Sequence, residues 1–159
     1  MKEIERKFKV SVEGSVLGKN KGCKIVQGYF FMDGCCDKII RIRIKDDKQA
    51  YVAIKIGKGL VKEELEHEIS IECAKDFLAE TSFIIEKIRY KLGRWEIDVF
   101  EKDLFGLIIG ECELASEDEK LPLLPDGIKI KEEVTDDVSF ANSTLAKKNK
   151  GGEKNGNKK

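Results

Sequence analysis

Charged and apolar residues alternate along most of this chain, beginning with its first few positions. Glu3, Glu5 and Lys7 occupy every second position, and Ile4 and Phe8 fall on positions between and after them. In a β-strand successive side chains point to opposite faces, so this spacing predicts one charged face and one apolar face. A helix, with its period of 3.6 residues, would mix the two sets. One such segment is weak evidence, but its recurrence predicts a sheet protein.

The same alternation predicts further strands in chain order. They cover residues 23–31, 39–44, 51–56, 64–69, 87–90, 95–99 and 107–114. Asp33-Gly34 is a typical hairpin turn, and Gly57, Gly59 and Gly93 interrupt the strand pattern. The alternation therefore predicts an antiparallel sheet of about seven to nine evenly spaced strands, which is typical of a barrel or sandwich.

A few short helices and a polar tail complete the predicted organisation. The segment from 9 to 20 is irregular or partly helical, 117–121 is a helical turn before Pro122, and 138–148 is a last helix. Residues 74–80 form an amphipathic helix with Phe77 and Leu78 on its buried side. We expect one domain over residues 1–146 and a disordered Lys/Gly/Asn tail over 147–159, which has nothing to bury.

Composition narrows the class of protein. Charged residues make up 38% of the 159 residues, well above the usual quarter, yet Lys+Arg and Asp+Glu each number 30. A neutral total gives no bulk attraction to nucleic acid or to a membrane. The chain has no apolar run long enough for a signal peptide or a membrane span. Five cysteines without a CxxC pair indicate reduced thiols in a cytoplasmic protein, not a disulfide framework or zinc site.

The charges are grouped by sign along the predicted strands. The groups are Arg41, Arg43 and Lys55; Glu64, Glu66 and Glu68; Lys87 and Arg89; and Glu111 and Glu113. For any single strand, a solvated face with weak cross-strand ion pairs is the simpler interpretation. For the whole set, like charges on one strand repel by roughly 2–4 kcal/mol per pair at an effective dielectric near 20. A barrel with a charged interior offsets this repulsion by binding a polyanion on basic strands and a divalent metal on acidic ones.

An ordered series of motifs resembles the CYTH superfamily, the triphosphate tunnel metalloenzymes. The series is Glu3-Ile4-Glu5-Arg6-Lys7-Phe8 (the ExExK signature), Gln27-Gly28-Tyr29, Ile40-Arg41-Ile42-Arg43, Ala53-Ile54-Lys55, Glu64-Leu65-Glu66-His67-Glu68-Ile69, Lys87-Ile88-Arg89-Tyr90, Trp95-Glu96-Ile97-Asp98, Glu111-Cys112-Glu113-Leu114, Ser116-Glu117-Asp118-Glu119 and Glu133-Val134-Thr135. The resemblance implies a mainly β fold, a closed eight-stranded antiparallel tunnel with helices outside. It also implies a triphosphate substrate and dependence on Mg²⁺ or Mn²⁺, with two ions expected. His67, Val99 and Phe140 depart from residues common in the family, and these departures bear on substrate choice.

Roles follow from the resemblance together with charge. The expected phosphate ligands are Lys7, Arg41, Arg43, Lys55, Lys87 and Arg89; the expected metal ligands are Glu3, Glu5, Glu64, Glu66, Glu68, Asp98, Glu111 and Glu113. Within these sets Glu64, Glu66, Glu68 and Asp98 complete a second metal site or orient water, and Glu5, Glu66 and Lys87 are expected to act in catalysis. Arginine suits bidentate phosphate contacts, lysine acts as a point charge, and carboxylates are hard oxygen ligands. Charge neutralisation and a metal-activated water need no protein nucleophile, and the chain shows no Ser/His/Asp arrangement. His67 falls on the apolar face and is interpreted as structural.

The predicted function is metal-dependent hydrolysis of a triphosphate, with inorganic tripolyphosphate favoured over nucleoside triphosphates. Tyr29 and Trp95 fall on hydrophobic positions and are expected in the core, so no aromatic pair is left to bind a base. Two alternatives stay open: a class IV adenylyl cyclase acting on ATP, and a non-catalytic polyphosphate-binding module. The compact chain has no evident insertion for an adenine, and its acidic set is complete. A small triphosphate is the expected partner, neither nucleic acid nor membrane is expected, and a homodimer is left open.

Overall fold

The computed structural model describes residues 2–32, 38–57 and 60–149. The strands are β1 (Lys2–Val12), β2 (Cys23–Phe31), β3 (Lys38–Lys45), β4 (Gln49–Ile56), β5 (Val61–Ile69), β6 (Ile84–Leu92), β7 (Trp95–Phe100), β8 (Ile108–Glu113) and β9 (Ile128–Glu133). The helices are α1 (Gly14–Gly18), α2 (Ile71–Ala79) and α3 (Asn142–Lys148), with 3-10 turns at Lys102–Leu104 and Val138–Phe140. The fold is therefore mainly β, as the alternation predicts.

Eight of these strands close into an antiparallel barrel. Their order is β5-β4-β3-β2-β6-β7-β8-β1, and β1 pairs back with β5 to close the ring. The strand β1 is long enough to serve three partners: Lys2–Ile4 pair with β5, Glu5–Lys9 with β8, and Phe8–Val12 with the added strand β9. The expected closed eight-stranded tunnel is confirmed, with β9 as one extra strand outside it.

The apolar faces of the strands point away from the barrel axis. On one side Phe8, Trp95 and Ile97 are almost fully buried and pack with Ile128 of β9. On another side α2 buries Ala74 against a second outer cluster that includes Ile42 and Ile44 of β3. Because strands alternate, the charged residues of the same strands point inward. The barrel thus places its charge inside and its apolar surface outside.

One end of the interior is filled by apolar side chains. Tyr29, Ile39, Ile85, Phe100 and Ile109 lie on the inward faces of their strands and pack against Leu145 and Ala146 of α3. The chain changes direction at Ala141, which has an extended ψ of 134°. The helix that follows, α3, can therefore pack its apolar side against this end of the barrel. The charged layers of the interior begin above this apolar floor.

The structure departs from the predictions at four places. β9 was not predicted, because only Ile128 and Ile130 alternate there and most of the strand is exposed. Residues 117–121 form no helix; they belong to a turn in which the main-chain N–H of Glu119 donates to the carbonyl of Ser116. The last helix is divided at Ala141 into a 3-10 turn and α3.

Phe77 is the fourth departure, because it is 49% exposed although the helical pattern predicted it to be buried. Helix α2 uses the small side chain of Ala74 as its buried contact, with Leu78 half-buried beside the cluster. Phe77 is left at the rim, edge-on to Phe30 with ring centroids 6.3 Å apart.

Some predictions lie outside the described residues. They concern the Asp33-Gly34 turn, the adjacent Cys35 and Cys36, Gly59, and the tail from residue 150 onward. Within the described ranges, no helix combines the length and the apolar character needed to cross a membrane.

Candidate active site

The barrel encloses a cavity of about 660 Å³ whose wall is mainly charged. This volume lies within the range of small-molecule sites, roughly 300–1,000 Å³. The predicted basic residues on the wall are Lys7, Arg41, Arg43, Lys55 and Arg89. The predicted acidic residues there are Glu3, Glu5, Glu64, Glu66, Glu111 and Glu113. Three predicted residues are absent from the wall: Glu68 is exposed on β5, while Lys87 and Asp98 are buried behind it.

A buried ion-pair network forms the part of the wall made by β6, β7, β8 and β1. Arg89 donates from Nε and Nη2 to the two oxygens of Asp98 at 2.6 and 2.7 Å, and from Nη2 to Glu111 at 2.7 Å. The ammonium of Lys87 donates to Asp98, and both side chains are 0% exposed. Lys7 pairs with Glu111 at 2.9 Å. Each charge in this network, which we call the closed wall, therefore has an opposite charge in contact.

The pKa values in the closed wall follow from that pairing. Burial opposes every charge, but Lys87 and Arg89 hold the pKa of Asp98 below its usual range, and Lys7 and Arg89 do the same more strongly for Glu111. Burial lowers the pKa of Lys87 to about 8, because the attraction of Asp98 is partly cancelled by Arg89. Lys87 faces Asp98 and not the cavity, so its predicted phosphate contact and catalytic role stay predictions, as does metal binding by Asp98.

The opposite part of the wall, made by β2, β3, β4 and β5, is less completely neutralised. We call it the open wall. Arg41 donates from Nη2 to Glu64 at 2.7 Å and to Glu66 at 2.5 Å, but its buried Nε has no hydrogen-bond partner among the described residues. Arg43 donates from Nε to Gln27 at 3.1 Å, and its Nη1 lies 4.0 Å from Glu66. Burial and the neighbouring Arg41 lower the pKa of Arg43 to about 10.

Tyr29 belongs to this open wall, although the sequence analysis assigned it only to the core. It is both nearly fully buried and part of the cavity lining. Since Gln27 uses Oε1 to accept from Arg43, its Nε2 donates to the phenol oxygen of Tyr29 at 2.7 Å. The hydroxyl proton of Tyr29 is then available to donate to a ligand. Burial raises the pKa of this phenol to about 12, so it stays protonated at neutral pH.

Carboxylates gather toward the other end of the cavity, around Glu113 at the end of β8. Burial raises the pKa of Glu113, and the negative charges of Glu3, Glu5, Glu96 and Glu64 raise it further. Within the described residues, no ion pair neutralises the Glu113 carboxylate. Such a group of mutually repelling carboxylates, which we call the acidic group, provides the hard oxygen ligands that a divalent cation such as Mg²⁺ or Mn²⁺ prefers.

Lysines currently occupy part of this acidic group. Lys55 bridges Glu3 at 2.9 Å and Glu64 at 2.8 Å, and Lys62 lies 3.9 Å from Glu5. In the described chain no three His, Cys, Asp or Glu side chains are already arranged around one point that could hold an ion. The residues therefore fit a divalent cation by chemistry, while the Lys55 pairs must rearrange for it to be ligated.

The cavity also contains charged residues that the sequence analysis left out. They are Lys62, Lys91, Arg94 and Glu96. The alternation could have found three of them, because Lys62 precedes Glu64 by two positions, and Lys91 and Glu96 lie two positions from Arg89 and Asp98. Arg94 lies in the β6–β7 turn, where strand periodicity gives no signal. His67 is exposed, consistent with the outer face, and does not line the cavity.

Comparison with known proteins gives matches over nearly the whole chain. The CYTH domain family model matches residues 1–145. The chain is 38% identical over 154 residues to an inorganic triphosphatase of Acetivibrio thermocellus, covering 92% of this chain and 94% of that protein. It is 30% identical over 154 residues to an inorganic triphosphatase of Nitrosomonas europaea, covering 92% and 97%. The crystal structure of the inorganic triphosphatase NE1496 aligns with a TM-score of 0.61 and 29% identity, covering 91% of this chain and 93% of that one.

Proposed function

Since the chain belongs to the CYTH domain family, we propose that it hydrolyses inorganic tripolyphosphate inside the barrel with a divalent metal ion. Two relatives that it matches over more than nine-tenths of their length are named inorganic triphosphatases. The observation that carries the proposal for this chain is the open wall. It presents a buried, under-neutralised guanidinium on Arg43 to the cavity, and Arg41 beside it on the wall has a buried Nε without a hydrogen-bond partner among the described residues.

The open wall is suited to an oxyanion. A buried donor without a partner costs roughly 1–3 kcal/mol, and a shift of the Arg41 side chain that brings its Nε to a ligand oxygen would recover that cost. Arg43 can donate two parallel hydrogen bonds to a phosphate, because among the described residues only its Nε is engaged at hydrogen-bond distance, by Gln27. The Tyr29 hydroxyl adds a neutral donor beside them. Across the cavity, Lys7 and Arg89 provide further positive charge for a chain of phosphates.

The acidic group is proposed to bind the metal through Glu3, Glu5 and Glu113, with Glu64 and Glu66 nearby on the open wall and Glu111 on the closed wall. When bound, a divalent ion would neutralise phosphate oxygens and lower the pKa of an attacking water. The carboxylates of the acidic group attract the cation. Their negative charge also repels a second polyanion from the position proposed for the metal. Lys55, released from Glu3 and Glu64, is free to pair with phosphate.

Hydrolysis adds water across one P–O–P bond and yields phosphate and pyrophosphate. Phosphoryl transfer of this kind needs positioning and charge stabilisation more than a covalent nucleophile. Arg41 and Arg43 hold the phosphate chain and stabilise the charge that develops on its oxygens. Glu5 and Glu66 are proposed to act in catalysis, because each places a carboxylate at the cavity where a proton of the attacking water can be accepted.

The lining favours an unsubstituted phosphate chain over a nucleotide. Tyr29 is the one aromatic residue of the described lining, and its ring is packed into the apolar floor. Trp95 is buried on the outer side of the barrel against Phe8, where it cannot stack on a base. The wall is therefore built to address phosphate and metal, with Asn142 as its only side-chain amide among the described residues.

A phosphate-release assay tests the proposal. The full chain is incubated with tripolyphosphate, ATP or thiamine triphosphate, each with Mg²⁺, with Mn²⁺ or with excess EDTA, and cyclic AMP is measured in parallel. We expect tripolyphosphate to be hydrolysed fastest and EDTA to abolish turnover. Arg41→Ala should reduce turnover of tripolyphosphate and ATP alike by about 10–100-fold, the worth of a charged hydrogen bond of roughly 1.5–3 kcal/mol.

Glu68→Gln is the matched control, because Glu68 lies on β5 with Glu64 and Glu66 but outside the cavity wall. It should keep the wild-type rate. Cyclic AMP as the main product would establish the cyclase alternative. Tight tripolyphosphate binding without phosphate release under any metal condition would establish the non-catalytic binding module. Full turnover in EDTA would contradict the metal dependence.

A further inference from the structure

An ion pair between Arg94, a residue of the cavity lining, and Glu119 ties down the chain beside Glu113. Arg94 lies in the two-residue turn between β6 and β7, where Gly93 has a φ of +62°. Its guanidinium donates to both oxygens of Glu119, Nη1 at 2.5 Å and Nη2 at 3.3 Å. The same Nη2 donates to the main-chain carbonyl of Glu113 at 2.9 Å. We call Arg94 and Glu119 the clasp.

Glu119 secures the other side of the clasp. Its Oε2 accepts from the main-chain N–H of Ala115 at 2.5 Å, and its own N–H bonds to the carbonyl of Ser116 at 3.2 Å. Hydrogen bonds from Arg94 and Ala115 lower the pKa of Glu119 to about 2, so it is ionised throughout the neutral range. The residues after β8 are therefore held from Glu113 to Glu119 by a charge-assisted network.

The position of the clasp has two consequences for the acidic group. It fixes the backbone at Glu113, whose own carboxylate projects among Glu3, Glu5 and Glu96. It also directs the guanidinium of Arg94, a residue of the cavity lining, to Glu119 at 2.5 Å. Among the described residues Arg94 therefore forms no ion pair with the Glu113 carboxylate, although its positive charge attracts that carboxylate at longer range.

We propose that Arg94 and Glu119 are positioning residues for metal binding: the clasp fixes the backbone at Glu113 and so orients its carboxylate. The proposal rests on the proposed metal-dependent function. Hydrogen-bonding partners behind metal ligands typically change metal affinity by about 10–100-fold when removed. Opening the clasp should therefore weaken cation binding far more than it changes phosphate binding on the opposite wall.

Mn²⁺ binding to the full chain without substrate, followed by electron paramagnetic resonance, tests the clasp. Glu119→Gln keeps the shape of the side chain but loses its charge, and Arg94→Ala removes the other partner. We expect each to weaken Mn²⁺ binding about 10-fold, and the double variant to lose little more, because the two residues act as one unit. At saturating Mn²⁺, kcat and the KM for tripolyphosphate should stay within about threefold of wild type, a ratio worth roughly 0.6 kcal/mol.

Glu117→Gln is the matched control, since Glu117 lies in the same loop and its one ion pair among the described residues is with the exposed Lys2 at 3.4 Å. It should leave Mn²⁺ affinity unchanged. Circular dichroism fixes a temperature at which every variant is folded, and Arg94→Lys, which keeps charge but loses the fork, should give an intermediate affinity. Wild-type Mn²⁺ affinity in both Glu119→Gln and Arg94→Ala overturns the proposal, as does an equal loss of Mn²⁺ affinity and of kcat at saturation.

The proposed function and the positioning role of the clasp would be contradicted by different results. If the wild-type chain neither binds Mn²⁺ nor releases phosphate from tripolyphosphate, the proposed function is wrong. If the wild type does both and the clasp variants match it, the function stands and the positioning role is wrong.

Discussion

The two walls of the tunnel carry the same kinds of side chain but neutralise them differently. In the closed wall Asp98 contacts both Lys87 and Arg89, Arg89 also contacts Glu111, and the innermost pair is 0% exposed. In the open wall the Arg43 side chain is also buried, with 11% of its surface exposed, but the carboxylate paired with it is 4.0 Å away on Glu66. Composition does not distinguish these walls. Arg41 and Lys55 of the open wall each contact two carboxylates, so the difference lies in Arg43, a buried cation with no carboxylate in hydrogen-bond contact among the described residues.

This difference assigns the closed wall to the stability of the fold and the open wall to ligand binding. A buried charge is tolerated when its partners are in contact, and removing one partner of such a pair leaves the other uncompensated. An uncompensated cation that faces a cavity is instead stabilised by an incoming anion. The closed wall is thus expected to be needed for the fold, and the open wall is expected to be needed mainly when a ligand is present.

The largest predicted effect is in the closed wall. Asp98→Asn leaves the fully buried Lys87 without its charge partner, so the free energy of unfolding should fall by about 3–5 kcal/mol. For a chain of this length that corresponds to a drop in Tm of roughly 10 °C. Thermal unfolding followed by circular dichroism, and by the fluorescence of the buried Trp95, measures it.

A second substitution tests the cause. If the loss comes from the unpaired ammonium, Lys87→Met in the Asp98→Asn background should recover part of the stability, since an apolar chain of similar length replaces the buried charge. Glu68→Gln, on an exposed carboxylate, should leave Tm unchanged. If Asp98→Asn melts like the wild type, the two walls do not differ in the way described.

The next largest effect is predicted in the open wall, where a substitution should change the ligand-free stability little and reduce turnover strongly. Arg43→Met removes a cation whose pKa is already lowered to about 10 by burial and by Arg41 and Arg89. Without ligand, we expect Tm to stay within a few degrees of wild type or to rise, because the lost bond to Gln27 is offset by relief of repulsion. Turnover of tripolyphosphate should fall by about 100-fold, or roughly 2.7 kcal/mol in activation free energy.

Two measurements on the same variant sharpen this comparison. Saturating tripolyphosphate with Mg²⁺ should raise the Tm of the wild type, as a native-state ligand does, and raise that of Arg43→Met less. Arg43→Lys keeps the charge but not the planar fork, and should restore only part of the turnover. A large loss of ligand-free stability in Arg43→Met would place Arg43 in the same class as Asp98.

Strand periodicity was enough to predict much of the barrel, because alternation is a local property. The runs Ile40–Ile44 and Trp95–Val99 show inward and outward faces directly in the sequence, and both become strands. Closure is not local: the pairing of β1 with β5 joins residues 57 to 61 positions apart, from Ile4 with Val61 to Lys2 with Glu63, and was expected only from the family resemblance. β9 went unpredicted since it is an edge strand with little to bury.

The depth of each charge could not be predicted either. Lys87 and Arg89 share a strand and a face, so periodicity assigns them the same role, yet Arg89 lines the cavity and Lys87 lies behind it. Depth depends on how the tilted strands place neighbouring rows of side chains, which is a property of the closed barrel. Arg94 escaped for a different reason: its position in a turn has no periodicity, and its partner Glu119 lies 25 positions away.

The smallest effect concerns Glu113, which belongs to neither wall's ion pairs and so tests the acidic group between them. Burial and the negative charges of Glu3 and Glu5 raise its pKa above the ordinary value for a glutamate, 4.5. A carboxyl group whose pKa is raised in the folded state contributes stability below its unfolded pKa, and that contribution is lost as pH rises through the folded value. In EDTA at pH 7, Glu113→Gln should therefore have a slightly higher Tm than the wild type. The gain in the free energy of unfolding should be less than about 1 kcal/mol, because Glu113 is partly solvated. The difference should vanish below pH 4.5, and Glu68→Gln should show no such pH dependence.

With Mn²⁺ the sign of the Tm difference should reverse, because the wild type gains a ligand that Glu113→Gln binds more weakly. A Tm difference that is constant from pH 4 to 8 would mean that Glu113 feels no charge from its neighbours.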